Sequence, residues 1–150
     1  MQVCPYETRD FDALYELDQS CFAPGVAYSK STLTYFLALS SAQCLLAVEG
    51  TAIGGFILAE VNAPLAHLIT LDVAEAYRRR GVASLLLSAL ENKLSAEGVS
   101  AIILETAVNN DAAIALWRRH GYRVQGVLKR YYLRRTDAFE MRKSLSALRK

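Results

Sequence analysis

The chain has 150 residues, the length of one ordinary domain, and we predict a single domain over residues 1–150. Hydrophobic residues make up 53% of the sequence and charged residues 21%, which excludes a disordered protein. Its apolar runs are far shorter than the roughly 20 residues that cross a bilayer, and its acidic start is unlike a secretory signal, so we expect a cytoplasmic protein without membrane contact. The net charge of +2 divides unevenly, with two basic and nine acidic residues over 1–75 but fifteen basic and six acidic over 76–150, which indicates an anionic partner for the second half.

The three cysteines, Cys4, Cys21 and Cys44, form no CxxC pair. Three is an odd number, and neither of the two histidines stands at ligand spacing from a cysteine. The sequence therefore predicts neither a disulfide framework nor a metal site, and the thiols are expected to be core residues.

The first half of the chain predicts one strand, two helices and three further strands. Asp10 can cap a helix whose apolar residues recur at helical spacing, and Ala23-Pro24-Gly25 ends it. Glu49-Gly50-Thr51 between two apolar runs predicts a hairpin. The predicted elements are a strand over 2–6, a helix over 10–22, a helix from about 29 or 31 to 40, and strands over 44–48, 52–61 and 66–73.

The second half predicts a helix flanked by strands, followed by another helix and two more strands. The predicted elements are a helix over 81–97, a strand over 101–106, a helix over 110–120, and strands over 123–132 and 139–145. A strand, a long helix and an apolar strand in succession imply a right-handed crossover and a parallel pair, while the earlier hairpin makes the sheet mixed. We therefore predict an α/β fold with a mixed sheet of six to seven strands and about four helices. The apolar face of the long helix is expected to contain Leu85, Leu86, Ala89, Leu90 and Leu94.

The turn before the long helix is the most informative segment. It reads Arg78-Arg79-Arg80-Gly81-Val82-Ala83, and the first turn of a helix offers unpaired backbone N–H groups and a positive dipole end to a phosphate. Small residues at positions 81 and 83 leave room for a diphosphate. The sequence lacks the Gly-Lys-Ser or Gly-Lys-Thr of a Walker motif and the three glycines of a dinucleotide fingerprint. A solvated charged loop is the alternative for the arginines alone.

This Arg-x-x-Gly-x-Ala pattern between a strand and a long helix resembles the coenzyme A signature of the GNAT acetyltransferase superfamily. The segment from Asn110 to Tyr122 is similar to the family's Asn-x-x-Ala-x-x-Leu-Tyr-x-x-x-Gly-Phe stretch. The pieces Ile103-Leu104-Glu105 and Lys129-Arg130-Tyr131-Tyr132 resemble the branch that acetylates protein N-termini, including ribosomal-protein alanine acetyltransferases. The resemblance covers most of the chain.

The resemblance implies an acetyl-CoA-dependent enzyme that needs no metal, with two parallel strands splayed apart at the cofactor site. Backbone groups of Leu71 and Val73 would hold the pantetheine arm, and amides from Arg79 to Ala83 the diphosphate. Asn110 and Ala113 would line the cofactor from the following helix. The expected cofactor residues are Leu71, Asp72, Val73, Arg78, Arg79, Arg80, Gly81, Val82, Ala83, Asn110, Ala113 and Trp117.

Glu105 is the expected general base. It ends an apolar strand, and a carboxylate held there could take the proton that an arriving amine must lose before it attacks a thioester. Solvation or an ion pair is the structural alternative for Glu105. The family's tyrosine acid is replaced by Trp117, whose indole donates but has no accessible acidity, so Tyr131 or Tyr132 could take over its role. The resemblance further implies that Phe22, Tyr28, Tyr131 and Tyr132 contact the acceptor.

Other functions remain open from the sequence. The acceptor could be a protein N-terminus, a lysine or a small-molecule amine, attacked directly in a ternary complex. A non-catalytic coenzyme A sensor would explain Trp117. A single-strand nucleic-acid binder would explain the basic and aromatic run from Lys129 to Arg135, but it leaves Gly81, Ala83 and Glu105 without a role.

Overall fold

The computed structural model describes residues 1–133 and 135–145 of the chain. Seven strands and four α-helices fill these residues, with short 3-10 turns at Thr8–Asp10 and Glu75–Tyr77. In chain order they are β1 (Gln2–Pro5), α1 (Phe11–Cys21), α2 (Lys30–Ala38), β2 (Ala42–Glu49), β3 (Ala52–Asn62), β4 (Leu65–Val73), α3 (Val82–Ala96), β5 (Ala101–Ala107), α4 (Asp111–Arg119), β6 (Arg123–Tyr132) and β7 (Thr136–Ser144).

All seven strands form one sheet in the order β1-β2-β3-β4-β5-β7-β6. Only β4 and β5 run parallel, joined by the α3 crossover, and every other neighbouring pair is antiparallel. The predicted α/β class, with a mixed sheet and one parallel pair, is confirmed. The position of β7 between β5 and β6 was not part of the prediction, because strand order depends on contacts between distant segments.

The bounds of the predicted elements agree with the observed ones to within two residues except at the start of β7, and one residue of α3 was assigned to the wrong face. Strand β7 begins at Thr136 rather than Phe139, since residues 136–138 continue the ladder with β5 and β6. On α3, Leu85 is 39% exposed while Leu87 is fully buried. The buried face of α3 thus runs through Val82, Leu86, Leu87, Leu90 and Leu94, and the assignment of Leu85 to it was wrong.

The helices cover the two faces of the sheet and create two apolar cores. The larger core lies under α3 and α4 and includes Leu86, Leu90, Leu104 and Trp117. The smaller one lies under α1 and α2 and is centred on Leu14, Leu33, Leu46, Phe56 and Leu58. Half-buried Cys4 and Cys44 pack against this smaller core, as expected for core thiols. No helix within residues 1–133 and 135–145 is long and apolar enough to span a membrane.

Candidate active site

Strands β4 and β5 separate soon after they begin, and a cavity opens between them. Their parallel pairing covers only Leu65–His67 of β4 and Ala101–Ile103 of β5. Beyond these residues the two strands part, as the resemblance implied. The resulting cavity has a volume of about 620 Å³, within the usual range for small-molecule sites. Its lining includes Cys21, Phe22, Tyr28, Leu71, Glu105, Asn110, Ala113, Trp117, Tyr132 and Leu133.

A register shift in β4 sets which groups face this cavity. Ala59 pairs with Leu68 and Leu58 with Thr70, so Ile69 is an extra residue and the side-chain alternation reverses there. The N–H of Ala74 donates to the carbonyl of Gly54 on β3, at 2.8 Å. Because peptide groups alternate along a strand, those of Leu71 and Val73 face away from β3, toward the parted side of β4.

Asp72 does not belong to the predicted cofactor surface. Its side chain is 1% exposed and bonds the hydroxyl of Thr70 at 2.5 Å, on the α1 side of the sheet. Its backbone stands opposite Phe56 of β3, so its peptide groups are directed away from the cavity. The structure therefore does not bring the Asp72 side chain to the cavity with the other predicted cofactor residues, because the strand alternation reverses at Ile69.

The N-terminus of α3 begins at a glycine in the left-handed region. Gly81 is the N-cap, with φ 77° and ψ 13°, and a Cβ atom placed there would meet no atom within 4 Å. Only glycine adopts this φ without strain, and the open space above it leaves the first amides of a 15-residue helix accessible. The side chain of Val82 is buried in the larger core, so its backbone alone is available to a ligand.

Two of the three arginines before α3 form contacts within the protein. The Arg78 Nε donates to the Val73 carbonyl at 3.1 Å. Arg80 pairs with Glu49 of β2 at 3.0 Å, and its guanidinium lies 4.8 Å from the centroid of the Tyr77 ring. Arg79 has a φ of 63°, unusual for a side-chain-bearing residue. The guanidinium groups of Arg78 and Arg80 thus already contact the protein.

Helix α4 presents three of the predicted residues to the cavity. The Asn110 side chain caps the helix by accepting from the N–H of Ala113 at 3.2 Å, and both residues line the cavity. Trp117 also lines it while packing edge-on against Tyr122, with ring centroids 5.8 Å apart. The buried Trp117 Nε1 has no hydrogen-bond partner among the described residues.

Glu105 reaches the cavity from β5 and is held by a histidine that sequence reasoning did not assign a role. The side chain of Glu105 is 14% exposed, and its Oε1 lies 2.7 Å from the Nε2 of His67 on β4. The Glu105 hydrogen bond, partly opposed by burial, raises the pKa of His67 above its ordinary value of 6.5. His67 is the last paired residue of β4, opposite Ile103, and Glu105 follows two residues later on β5, so only the register of the parallel pair brings the two side chains together.

The two adjacent tyrosines of β6 both contact Glu105, in different ways. Tyr132 lines the cavity, and its hydroxyl donates to the Glu105 backbone carbonyl at 3.4 Å. Burial, with smaller effects from Tyr131 and Glu105, raises the pKa of Tyr132 to about 12. Tyr131 is 49% exposed, and its hydroxyl lies 3.5 Å from Oε1 of Glu105. Both phenols are therefore protonated near neutral pH and can act as donors.

Two loops meet above the cavity. The α1–α2 loop contributes Phe22 and Tyr28 to the lining, and the β6–β7 turn contributes Leu133. Leu133 lies against Gly25 so closely that a Cβ atom at Gly25 would stand 2.8 Å from it. The Tyr28 N–H donates to Oδ2 of the buried Asp18 at 2.7 Å, which anchors the α1–α2 loop to α1. Of the predicted acceptor residues, Phe22, Tyr28 and Tyr132 thus line the cavity, while Tyr131 does not.

The basic and aromatic run from Lys129 to Arg135 is partly neutralised. Lys129 pairs with Asp137 at 3.2 Å, and the backbone N–H of Arg130 donates to the same carboxylate at 2.9 Å. Arg134 lies outside the described residues. Within residues 1–133 and 135–145, no cluster of three or more histidine, cysteine, aspartate or glutamate side chains could hold a metal ion.

Comparison with known proteins agrees with this architecture. The model of the acetyltransferase (GNAT) family matches residues 11–122. An uncharacterized N-acetyltransferase of Methanocaldococcus jannaschii is 28% identical over 142 residues, covering 94% of this chain and 90% of that protein. The ribosomal protein bS18 alanine N-acetyltransferase of Haemophilus ducreyi is 32% identical over 124 residues, 83% of each chain. The crystal structure of the corresponding Escherichia coli enzyme matches with a TM-score of 0.89 and 26% identity, covering 97% of this chain and 94% of that one.

The family match and the named N-acetyltransferase relatives identify the class of protein as an acyltransferase, and the parted strands, the cavity and the glycine at the start of α3 agree with it. The family match spans well over half of the residues, and its bounds include both motifs from which the resemblance was read. The chain therefore belongs to the acetyltransferase (GNAT) family.

Proposed function

We propose that this enzyme transfers the acetyl group of acetyl-CoA to the N-terminal α-amine of a protein. The cavity between β4 and β5 is the observation that supports this proposal. On one side it is bounded by the β4 backbone that would hold the cofactor, and on the other by Glu105 and aromatic side chains. Relatives that are named as ribosomal-protein alanine N-acetyltransferases support the choice of a protein N-terminus.

The residues present fit acetyl-CoA. The accessible amides of Gly81 and the two residues after it suit a diphosphate. Of the three arginines before α3, Arg79 is the one whose side chain makes no hydrogen bond or ion pair with the described residues, so its charge is available to the diphosphate. The peptide groups of Leu71 and the N–H of Val73 face the parted side of β4, where an extended pantetheine arm could pair as a strand does, while the Val73 carbonyl already accepts from Arg78. When bound, acetyl-CoA would supply the thioester carbon to be attacked and the thiolate that departs.

Glu105 is suited to prepare the acceptor. An α-amine has a pKa of about 7.7–8.0 and arrives largely as ammonium at neutral pH, so it must lose a proton before its lone pair can attack. The Glu105 carboxylate lines the cavity and would accept this proton, directly or through one water molecule. Acetyl transfer would then form the amide bond and break the carbon–sulfur bond in a single ternary complex.

The leaving thiolate would be stabilised by donors that remain protonated. Tyr132 lines the cavity with a pKa of about 12, and the indole N–H of Trp117 lacks a partner among the described residues. A thiol has a pKa of about 8.5, so its thiolate departs without obligatory protonation. The replacement of the family's tyrosine by Trp117 is therefore compatible with turnover.

The acceptor class can be tested with matched peptides. We would incubate the enzyme with acetyl-CoA and two peptides of one sequence that begins with alanine and contains an internal lysine, one with a free and one with a blocked N-terminus. The proposal predicts acetylation of the free peptide at its α-amine alone, located by mass spectrometry. Modification of lysine in both peptides, or of small amines only, would contradict it.

A further inference from the structure

His67 and Glu105 form a pair whose geometry carries an inference beyond the acetyl transfer itself. Their contact of 2.7 Å engages Oε1 of the carboxylate, to which Tyr131 adds a longer contact of 3.5 Å. Oε2 receives no hydrogen bond from residues 1–133 or 135–145, and it is not among the buried atoms left without a partner. One oxygen of Glu105 is thus fixed, and the other remains open to the cavity.

We propose that His67 positions Glu105 and sets its basicity, so that the neutral histidine gives the active form of the enzyme. This inference rests on the proposed function of the same site. An ionised carboxylate only accepts hydrogen bonds, so the ring nitrogen facing it, Nε2, carries a proton. Neutral His67 donates this N–H to Oε1 and keeps the carboxylate facing the acceptor. Protonation of the other ring nitrogen places a positive charge beside Glu105 and lowers its affinity for the amine proton.

The surroundings of His67 raise the pH at which this switch operates above the ordinary histidine pKa of 6.5. Glu60 stands opposite His67 on β3, and Glu140 stands opposite Glu105 on β7, so three carboxylates surround the ring. The direct hydrogen bond to Glu105 raises the pKa of His67 most, and together with the charges of these carboxylates it outweighs the opposing effect of burial. Arg142 of β7 stands opposite Ile103, two residues from Glu140 and on the same face of the sheet. With a side chain that is 39% exposed, His67 exchanges protons with solvent.

Two substitutions of His67 distinguish its positioning of Glu105 from the effect of its charge. Glutamine at position 67 can still donate an N–H to Oε1 but does not titrate, whereas alanine removes both properties. We expect His67→Gln to keep kcat within about threefold of the wild type at pH 8, and His67→Ala to lose about tenfold or more. The affinity for coenzyme A, which binds elsewhere in the cavity, should stay the same in both variants.

The pH profile gives the decisive measurement. Between pH 8 and pH 6 the wild-type kcat should fall about tenfold more than that of His67→Gln, because the acceptor amine titrates in both enzymes and only the wild type also protonates His67. His120→Gln is the matched control, since His120 contacts Ser84 of α3 rather than Glu105, and its profile should match the wild type. Parallel profiles for the wild type and His67→Gln would overturn the proposal.

A titration of the resting protein followed by NMR gives a readout that needs no turnover. The chain has two histidines, and His67 should titrate above pH 6.5 while burial moves the pKa of His120 below it. Glu105→Gln should lower the pKa of His67 and leave that of His120 in place, and an unchanged His67 would contradict the pairing. Failure of the wild type to acetylate any peptide would instead refute the proposed function, even where this titration behaves as expected.

Discussion

Asp18 of α1 and Asp72 of β4 lie side by side in the protein interior, 0% and 1% exposed. Burial, followed by the hydrogen bond and the negative charge of Asp18, raises the pKa of Asp72 well above its ordinary 3.8. With both carboxylates ionised, one oxygen of each has no hydrogen-bond donor among the described residues. The pair therefore fits the interior best while Asp72 holds a proton.

This pair predicts that stability declines as pH rises. A raised folded-state pKa means that the folded protein binds more protons than the unfolded chain in the window above pH 3.8, so the free energy of unfolding falls as pH increases through that window. Asp72→Asn retains a donor toward Asp18 without the charge. We expect it to gain about 1–3 kcal/mol over the wild type at pH 8 and much less at pH 4, measured by thermal unfolding. Asp12 is an exposed residue of α1, the helix that contains Asp18. As the control, Asp12→Asn should show no such pH-dependent difference in stability.

Gly81 can be tested against a glycine of similar conformation. Gly81 and Gly50 have φ of 77° and 61°, and a Cβ atom at either would meet nothing within 4 Å. Alanine at either position should cost roughly 1 kcal/mol of stability through backbone strain alone. Only Gly81→Ala should also weaken coenzyme A binding, by about tenfold, because it places a methyl group over the amides of α3. Equal coenzyme A affinities in the two variants would contradict the assignment of the phosphate site to this turn.

A buried ion pair joins α3 to β7. Glu91 is 4% exposed, and it accepts from Lys143 and from the Tyr122 hydroxyl, each at 2.8 Å. Lys143→Met would leave a buried carboxylate with the tyrosine alone, and we expect a loss of about 2–4 kcal/mol in chemical denaturation. Lys93→Met, which breaks an exposed pair with Glu97, should cost less than about 1 kcal/mol. Similar losses in the two variants would contradict this assignment.

The strand–helix–strand unit around the cavity could be predicted from sequence because its signals are local. Helical spacing from Val82 to Leu94, the glycine before it and the apolar strand ending at Glu105 all lie within about 25 residues. Each of these signals follows from near-neighbour backbone preferences, and each survives in the structure.

The remaining features depend on tertiary contacts. The extra residue Ile69 reverses the alternation of β4 and so moves Asp72 to the α1 side, which a period-two pattern cannot show. Asp18 lies on a helix whose other acids are exposed, and only its packing against β4 buries it. The contact between His67 and Glu105 spans 38 residues and needs the register of the parallel pair.

Glu105 can be tested for its assigned chemistry. Glu105→Gln preserves the shape of the side chain and its contact with His67 but cannot accept the amine proton. We expect kcat to fall about 10²- to 10⁴-fold in steady-state assays, with coenzyme A affinity within twofold of the wild type. Glu140→Gln, the change of the neighbouring carboxylate on β7, should retain most of the activity. An unchanged kcat for Glu105→Gln would rule Glu105 out as the base.

Calorimetry with coenzyme A and pantetheine tests the central claim most directly. The two ligands share the arm that would pair with β4, but only coenzyme A carries the diphosphate for the α3 amides. The account predicts one coenzyme A per chain, bound about 100-fold or more tightly than pantetheine, with a preference that weakens as salt is added. Equal affinities, or no heat from coenzyme A at millimolar concentration, would contradict it.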